Sequence, residues 1–310
     1  MADTDNPSRR KVLECMTWAG AAVAWTVAGG VPRSSLIGPH RAQAAEAAGG
    51  LTFMQISDSH IGFHAVPNMD TPGTLRDAIA LVRQQRGDAA LMIHTGDVSH
   101  LSADAQFDTA RQLIGEAGLQ THYVPGEHDV LVDDGKGFFA GFTPGAPRGW
   151  YSFDDHGVHF IGLVNVANLK AGGLGFLGQE QLEWLEDDLK PLKDSTPIVV
   201  FAHIPLWSVY PTWGWGTDDA AIALGYLKRF GSVTVLNGHI HQLMQKVEGN
   251  VTFHTARSTA FPQPAPGTAP SPGPMLVPAE KLRSVLGITS VTYTQGKEAL
   301  AISDTALADR

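Results

Sequence analysis

Beyond about Ala45 the chain repeats one pattern: a short apolar run, rich in β-branched and aromatic residues, ends in a polar cluster containing Asp or His. Leu51 to Ile56 runs into Asp58-Ser59-His60, and Ala90 to Ile93 runs into Gly96-Asp97. Thr121 to Val124 is followed by Gly126-Glu127-His128-Asp129, Ile198 to Ala202 by His203, and Val233 to Leu236 by Gly238-His239-Ile240-His241. Between these runs apolar residues recur at helical spacing: Leu75, Ile79 and Val82 before Gly87, then Phe107, Ala110 and Leu113 before Gly118. Gln179 to Leu189 carries Leu182, Leu185 and Leu189 on one stripe, with Pro191 as the stop. Alternating strands and helices predict an α/β layered domain. Ligands of open α/β sheets collect outside the carboxyl ends of the strands, where all of these clusters are expected to converge.

Composition narrows the picture. A chain of 310 residues with 43% hydrophobic residues can bury one substantial core, and we read 45–310 as one globular domain. The proline-rich stretch Pro262 to Pro278 is expected to be an extended loop, and Ser284 to Ile302 to return as late strands. A net charge of −9 argues against a nucleic-acid polymer as partner, though a buried cationic centre could still attract phosphates. The single cysteine, Cys15, excludes an intrachain disulfide and a cysteine-based zinc site, so metal binding would rest on Asp, Glu and the 13 histidines.

The first 44 residues read as an address. Ser8-Arg9-Arg10-Lys11-Val12-Leu13 precedes an apolar, Ala- and Gly-rich run from Met16 to Val31, and Ala42-Gln43-Ala44 is a small-x-small cleavage pattern. This resembles a bacterial twin-arginine export signal, with Val12 where Phe is commoner. The resemblance implies passage through the twin-arginine machinery in a folded, metal-loaded state, to the periplasm or outside. The run is shorter than the ~20 residues of a spanning helix, so no stable membrane anchor is expected.

Each polar cluster alone is a weak signal, since an isolated Asp-x-His at a strand end is commonly a turn or cap. Their chemistry is nonetheless coherent. Asp-x-His and His-x-His spacings let two ligands curl around one ion. The two oxygens of Asp97 could bridge cations ~3.5–4 Å apart, and glycines 96, 126 and 238 would let the backbone turn sharply beneath them. In order and separation, Asp58-x-His60, Gly96-Asp97, Gly126-Glu127-His128-Asp129, His203 and Gly238-His239-x-His241 resemble the signature of the calcineurin-like metallophosphoesterases, over about residues 51–245.

That resemblance implies a four-layer α/β/β/α sandwich with two mixed β-sheets flanked by helices. It implies two divalent or trivalent transition-metal ions, with Asp58, His60 and His241 on the first, Asp97 as the bridge, and Glu127, His203 and His239 on the second. A metal-bridging hydroxide would attack a phosphoester, His128 would protonate the leaving oxygen as general acid, and Asp129 would orient that imidazole. Iron, manganese and zinc all suit nitrogen and oxygen ligands.

The chain departs from the family where Gly-Asn-His is usual, for it has Gly126-Glu127-His128. An ionised glutamate adds charge and removes an amide donor, which favours iron at that site and a singly charged diester over a doubly charged monoester; the expected substrate is a phosphodiester or a nucleotide. The alternative is a periplasmic metal-binding or partner protein whose phosphoesterase activity is altered or lost. His100 stands where purple acid phosphatases carry a tyrosine, and is read either as a substrate contact or as a surface histidine. After His203 comes a loop carrying Trp207, Tyr210, Trp213 and Trp215, expected to cap the cleft and bind the apolar part of a small phosphoester. A hydrophobic minicore or a dimer contact is the competing reading of that loop.

Overall fold

Strand β3 (Leu51–Ile56) is buried on both faces, and this explains why it reads as a continuous apolar run rather than an alternating one. Leu51 and Phe53 face one way into a core between two sheets, while Met54 and Ile56 face the other way beneath helices. The computed structural model describes residues 50–310 except 147, 298 and 310, together with the backbone of two paired strands, β1 (Val23–Ala28) and β2 (Val31–Leu36). The expected export signal otherwise lies outside the described residues.

In the first sheet β3, β4 (Leu91–His94) and β5 (Gln120–Tyr123) run parallel. The late strands β12 (Gly287–Tyr293) and β13 (Ala301–Ala306) add antiparallel on the far edge, giving the order β13-β12-β3-β4-β5. The second sheet contains β6 (Tyr151–Asp155), β7 (Val158–Gly162), β8 (Ile198–Phe201), β9 (Val233–Asn237), β10 (Met244–Glu248) and β11 (Val251–Thr255). Its order is β10-β11-β9-β8-β7-β6, parallel in the middle with antiparallel β6 and β10 at the edges.

Phe53 of the first sheet meets Phe160 of the second edge-to-face at 5.2 Å, within a core that also holds Ile93, Val199, Phe201 and Leu236. Outside the first sheet lie α1 (Thr71–Gln85), α2 (Asp104–Gly115), α3 (Lys136–Phe142) and α6 (Leu282–Val285). Outside the second lie α4 (Gln179–Leu189) and α5 (Ala220–Leu227). Helices, sheet, sheet and helices make the four-layer α/β/β/α sandwich expected from the sequence.

The helical stripes are the buried ones. Leu75, Ile79 and Val82 of α1, and Phe107, Ala110 and Leu113 of α2, pack on Met54, Ile56 and Met92. Asp70 caps α1 by accepting from Gly73 N–H at 2.9 Å, with Pro72 in the first turn. The proline-rich stretch is irregular, as expected. It is tied down at both ends: Met275 N–H donates to the Pro262 carbonyl at 2.8 Å, and the Gln242 amide donates to the carbonyls of Gln263 and Pro264. Among the described residues no helix is long and apolar enough to cross a membrane.

Candidate metal centre

The parallel register of β3 and β4 sets Ile56 beside His94, so their outgoing loops leave side by side and remain hydrogen-bonded. Asp58 N–H donates to the Gly96 carbonyl at 3.0 Å, and His60 N–H to the Asp97 carbonyl at 2.9 Å. Asp58, His60, Asp97, His239 and His241 all have positive φ, between 40° and 68°, a left-handed conformation that non-glycine residues seldom adopt. Such strain persists where surrounding bonds over-determine it, and it marks functional sites.

Two trios of side chains converge on neighbouring points. In the first, Asp58 Oδ1 lies 3.2 Å from His241 Nε2, and His60 Nε2 lies 3.2 Å from the same nitrogen. In the second, Glu127 Oε2 lies 2.9 Å from His203 Nε2, and Glu127 Oε1 lies 3.0 Å from His239 Nδ1. Asp97 Oδ2 stands between them, 3.4 Å from His60 Nε2 and 3.5 Å from His203 Nε2. These are the seven side chains that the sequence suggests as ligands, and the structure brings them together; Asp97 Oδ2 alone stands between the trios, while Oδ1 accepts the His128 amide at 3.0 Å.

The donor set fits two cations. Glu127 Oε2, His203 Nε2 and both His239 ring nitrogens are buried without a hydrogen bond of proper geometry, so they aim at common points rather than at one another. The far nitrogens of the other rings are engaged as metal-binding imidazoles require: His203 Nδ1–H donates to the Thr95 carbonyl at 2.7 Å and His241 Nδ1–H to the Phe261 carbonyl at 2.6 Å. Burial lowers His60 to about 3, against the pull of Asp97, so its imidazole is neutral and able to ligate. Burial penalises the Glu127 carboxylate, but His239 and His203 overcome it and hold Glu127 well below its ordinary range. Burial disfavours the charged form of His203 too, yet Asp97 and Glu127 hold it well above the usual value. The buried carboxylates thus demand positive charge at this spot, which cations satisfy.

The glycines act partly through space. Gly96 has φ +97°, the turn expected of it, but Gly126 is extended at φ −95°, ψ 177°. A Cβ on Gly126 would stand 2.0 Å from Asp97 Oδ1, so the requirement there is close approach of backbone to ligand.

His128 adjoins both trios. Its Nδ1–H donates to the His100 carbonyl at 2.8 Å, leaving Nε2 for the cleft, and its ring stacks on His100 with centroids 4.8 Å apart. Burial pulls the His128 pKa down, but Asp97, Glu127 and the His100 carbonyl raise it above the ordinary histidine value. The role expected for Asp129 is corrected. Its oxygens accept from Val98 N–H, Ser99 N–H, Ser99 O–H and Gly126 N–H at 2.8–3.0 Å, so it ties two ligand loops together, and the His100 carbonyl orients the His128 ring instead. Burial, reinforced by Asp97, pushes Asp129 up to about 7.

His100 is brought into the site, its Nδ1 3.4 Å from His60 Nδ1. The aromatic loop does not cap the cleft as expected. Trp213 and Trp215 are buried with Ile240 in a small core flanked by Tyr210, and Trp207 packs at 5.1 Å on Phe253 of the second sheet. The competing minicore reading describes that loop, because rings of this size remove more apolar surface from water by packing on Ile240 than by standing over a polar centre. Sequence reasoning missed Phe63 and Phe261, whose rings pack tilted at 4.5 Å, and Gln263, whose amide donates to the His239 carbonyl. Phe261 also stacks on His60 at 4.8 Å. Phe63 stands three residues from His60, a faint signal; Phe261 and Gln263 had none.

Residues 51–243 match the calcineurin-like phosphoesterases. The chain belongs to that family. This calcineurin-like phosphoesterase is 24% identical over 220 residues to a 3',5'-cyclic-nucleotide phosphodiesterase of Nostoc sp., covering 68% of this chain and 79% of that one. It is 25% identical over 194 residues to the glycerophosphodiester phosphodiesterase GpdQ of Enterobacter lignolyticus, covering 58% and 66%. Its fold resembles a dimetal phosphatase from Danio rerio, with TM-score 0.62 and 14% identity over 83% of this chain and 96% of that one. A purple acid phosphatase from yellow lupin superposes with TM-score 0.58 and 13% identity over 84% and 52%. The protein is accordingly a metal-dependent phosphoester hydrolase of this family.

Proposed function

We propose that this chain is an exported binuclear phosphodiesterase acting on small phosphodiesters or nucleotides. The observation that carries this reading is Asp97 Oδ2 standing between His60 and His203, the geometry of a ligand shared by two ions. Asp58, His60 and His241 would hold one ion, and Glu127, His203 and His239 the other. Bound there, the pair would supply an acidified water as nucleophile and neutralise the phosphoryl oxygens. His128 Nε2 then gives its proton to the leaving oxygen, with Nδ1–H anchored on the His100 carbonyl.

Glu127 supports the diester preference. Held ionised by His239 and His203, it adds a negative charge that repels a dianionic monoester more than a monoanionic diester. The same charge favours iron(III) in its site, with iron, manganese or zinc in the other. The phosphodiesterase names of the Nostoc and Enterobacter relatives agree.

Elemental analysis of protein purified without chelator, with parallel assays on bis(4-nitrophenyl) phosphate and 4-nitrophenyl phosphate, tests the reading. Two equivalents of metal and a higher kcat/KM on the diester are expected. Faster monoester turnover would overturn the diester preference, and no metal after reloading would overturn the site. Export is tested by replacing Arg9 and Arg10 with Lys: the wild type should be cleaved after Ala44 and leave the cytoplasm, and the variant should stay uncleaved inside. Equal cleavage of both would sink it.

A further inference from the structure

The two loops that bring His100 and His128 to the site also carry apolar, solvent-facing side chains. Leu101 is 55% exposed, Leu131 57% and Val132 73%. Single exposed leucines are ordinary, but Leu101 and Leu131 adjoin one anchorage with His128, and Val132 follows Leu131 in the chain. The Ser102 hydroxyl donates to the His128 carbonyl at 2.7 Å and accepts from Leu131 N–H at 3.0 Å, so the loop after β4 and the loop after β5 are clasped at the acid. Ser102 is itself strained, at φ +52°. Leu101 lies between this clasp and His100, whose ring stacks on His128. The aromatic floor continues from there, with Phe63 edge-on to His100 at 5.3 Å and Phe261 beyond it.

Because His128 Nδ1–H is committed to the His100 carbonyl, only Nε2 can protonate an oxygen, and that oxygen belongs to the departing alcohol. The residues clasped around His128 therefore border the leaving group. Resting on the phosphodiesterase reading above, we infer that the enzyme selects diesters whose leaving alcohol is apolar, an aryl or alkyl group lying against Leu101, Leu131 and Val132. A net charge of −9 disfavours an anionic lipid surface as the occupant of this rim.

Two substrate series test this on the metal-loaded enzyme. In methyl 4-alkylphenyl phosphates the phenol leaves and its acidity barely changes with alkyl length. In alkyl 4-nitrophenyl phosphates the alkyl group stays on phosphorus. In the first series kcat/KM should rise by up to about fourfold per methylene, the value of burying one CH₂, and in the second it should stay flat. In Leu101→Ser and Leu131→Ser the dependence on alkyl length should weaken in the first series only. A flat first series, equal slopes in both, or acceleration that appears only with phospholipid vesicles would overturn the inference. Bound metal with no turnover on either series would instead remove the diesterase reading, and this inference with it.

Discussion

Asp97 and His128 are joined by a hydrogen bond: the carboxylate oxygen not shared between the two trios accepts the His128 amide at 3.0 Å. The proposed bridging carboxylate and the proposed general acid are thus tied to one another. His128→Gln should lower kcat on diesters with alkyl leaving groups by about 10²–10⁴, and far less on 4-nitrophenyl esters, whose departure needs little protonation. Because the acid must be protonated, the wild-type rate on alkyl esters should fall on the alkaline side as pH rises through the His128 pKa, and His128→Gln should lose that limb. A stopped series of leaving-group acidities across pH checks both, and an unchanged leaving-group slope in the variant would remove His128 from this role.

Asp129→Ala should act on stability and metal retention. It strands the buried N–H groups of Val98, Ser99 and Gly126, at about 1–3 kcal/mol each before relaxation. Calorimetry should show a melting temperature lower by several degrees, with metal loss, while the leaving-group slope of the surviving enzyme matches wild type. A steeper slope would restore Asp129 as the group that orients His128.

Glu127→Asn should raise the monoester-to-diester ratio of kcat/KM and lower the iron content, since it removes one charge and restores an amide donor beside His203 and His239. Unchanged metal content and unchanged ratio would together show that Glu127 is only a tolerated ligand.

Away from the metals, His159 on β7 is clamped between Asp154 of β6 at 2.8 Å and Asp188 of α4 at 2.9 Å, and Ser152 donates to the same Asp188. Burial works against the imidazolium, but the bonds to Asp188 and Asp154 raise its pKa above 6.5. A raised histidine contributes stability that is complete below its unfolded pKa and lost as pH rises through the folded value. Urea midpoints measured from pH 5.5 to 8.5 should fall over that window in the wild type, and His159→Gln should flatten the fall.

Trp215→Ala should cost about 3–5 kcal/mol, as for a fully buried large side chain. Trp215 packs with Ile240, which lies between His239 and His241, so second-site metal should also be lost more readily. Affinity for diesters in the metal-saturated variant should be little changed; a large rise in KM would return the loop to the substrate.

The sequence alone determined the layered α/β plan and the seven candidate ligands, because both are written in local terms. Strands buried on two faces must be apolar throughout, helices packed on one face must repeat near 3.6, and a ligand at a parallel strand's carboxyl end must interrupt the apolar run with Asp, Glu or His. Asp58, Asp97, His203 and His239 are legible for that reason. The antiparallel edges were harder to read: β10 places Gln245, Lys246 and Glu248 in solvent and carries little apolar pattern. Only the tertiary structure decided what Asp129, Trp215 and Leu101 do. Asp129 is a buried clasp because its four donors come from two loops distant in sequence, at 98–99 and at 126, Trp215 turns inward because Ile240 offers it a dry surface, and Leu101 faces solvent next to Ser102, which joins the loops after β4 and β5. Such roles depend on which surfaces meet, and no periodicity along one segment encodes its partner.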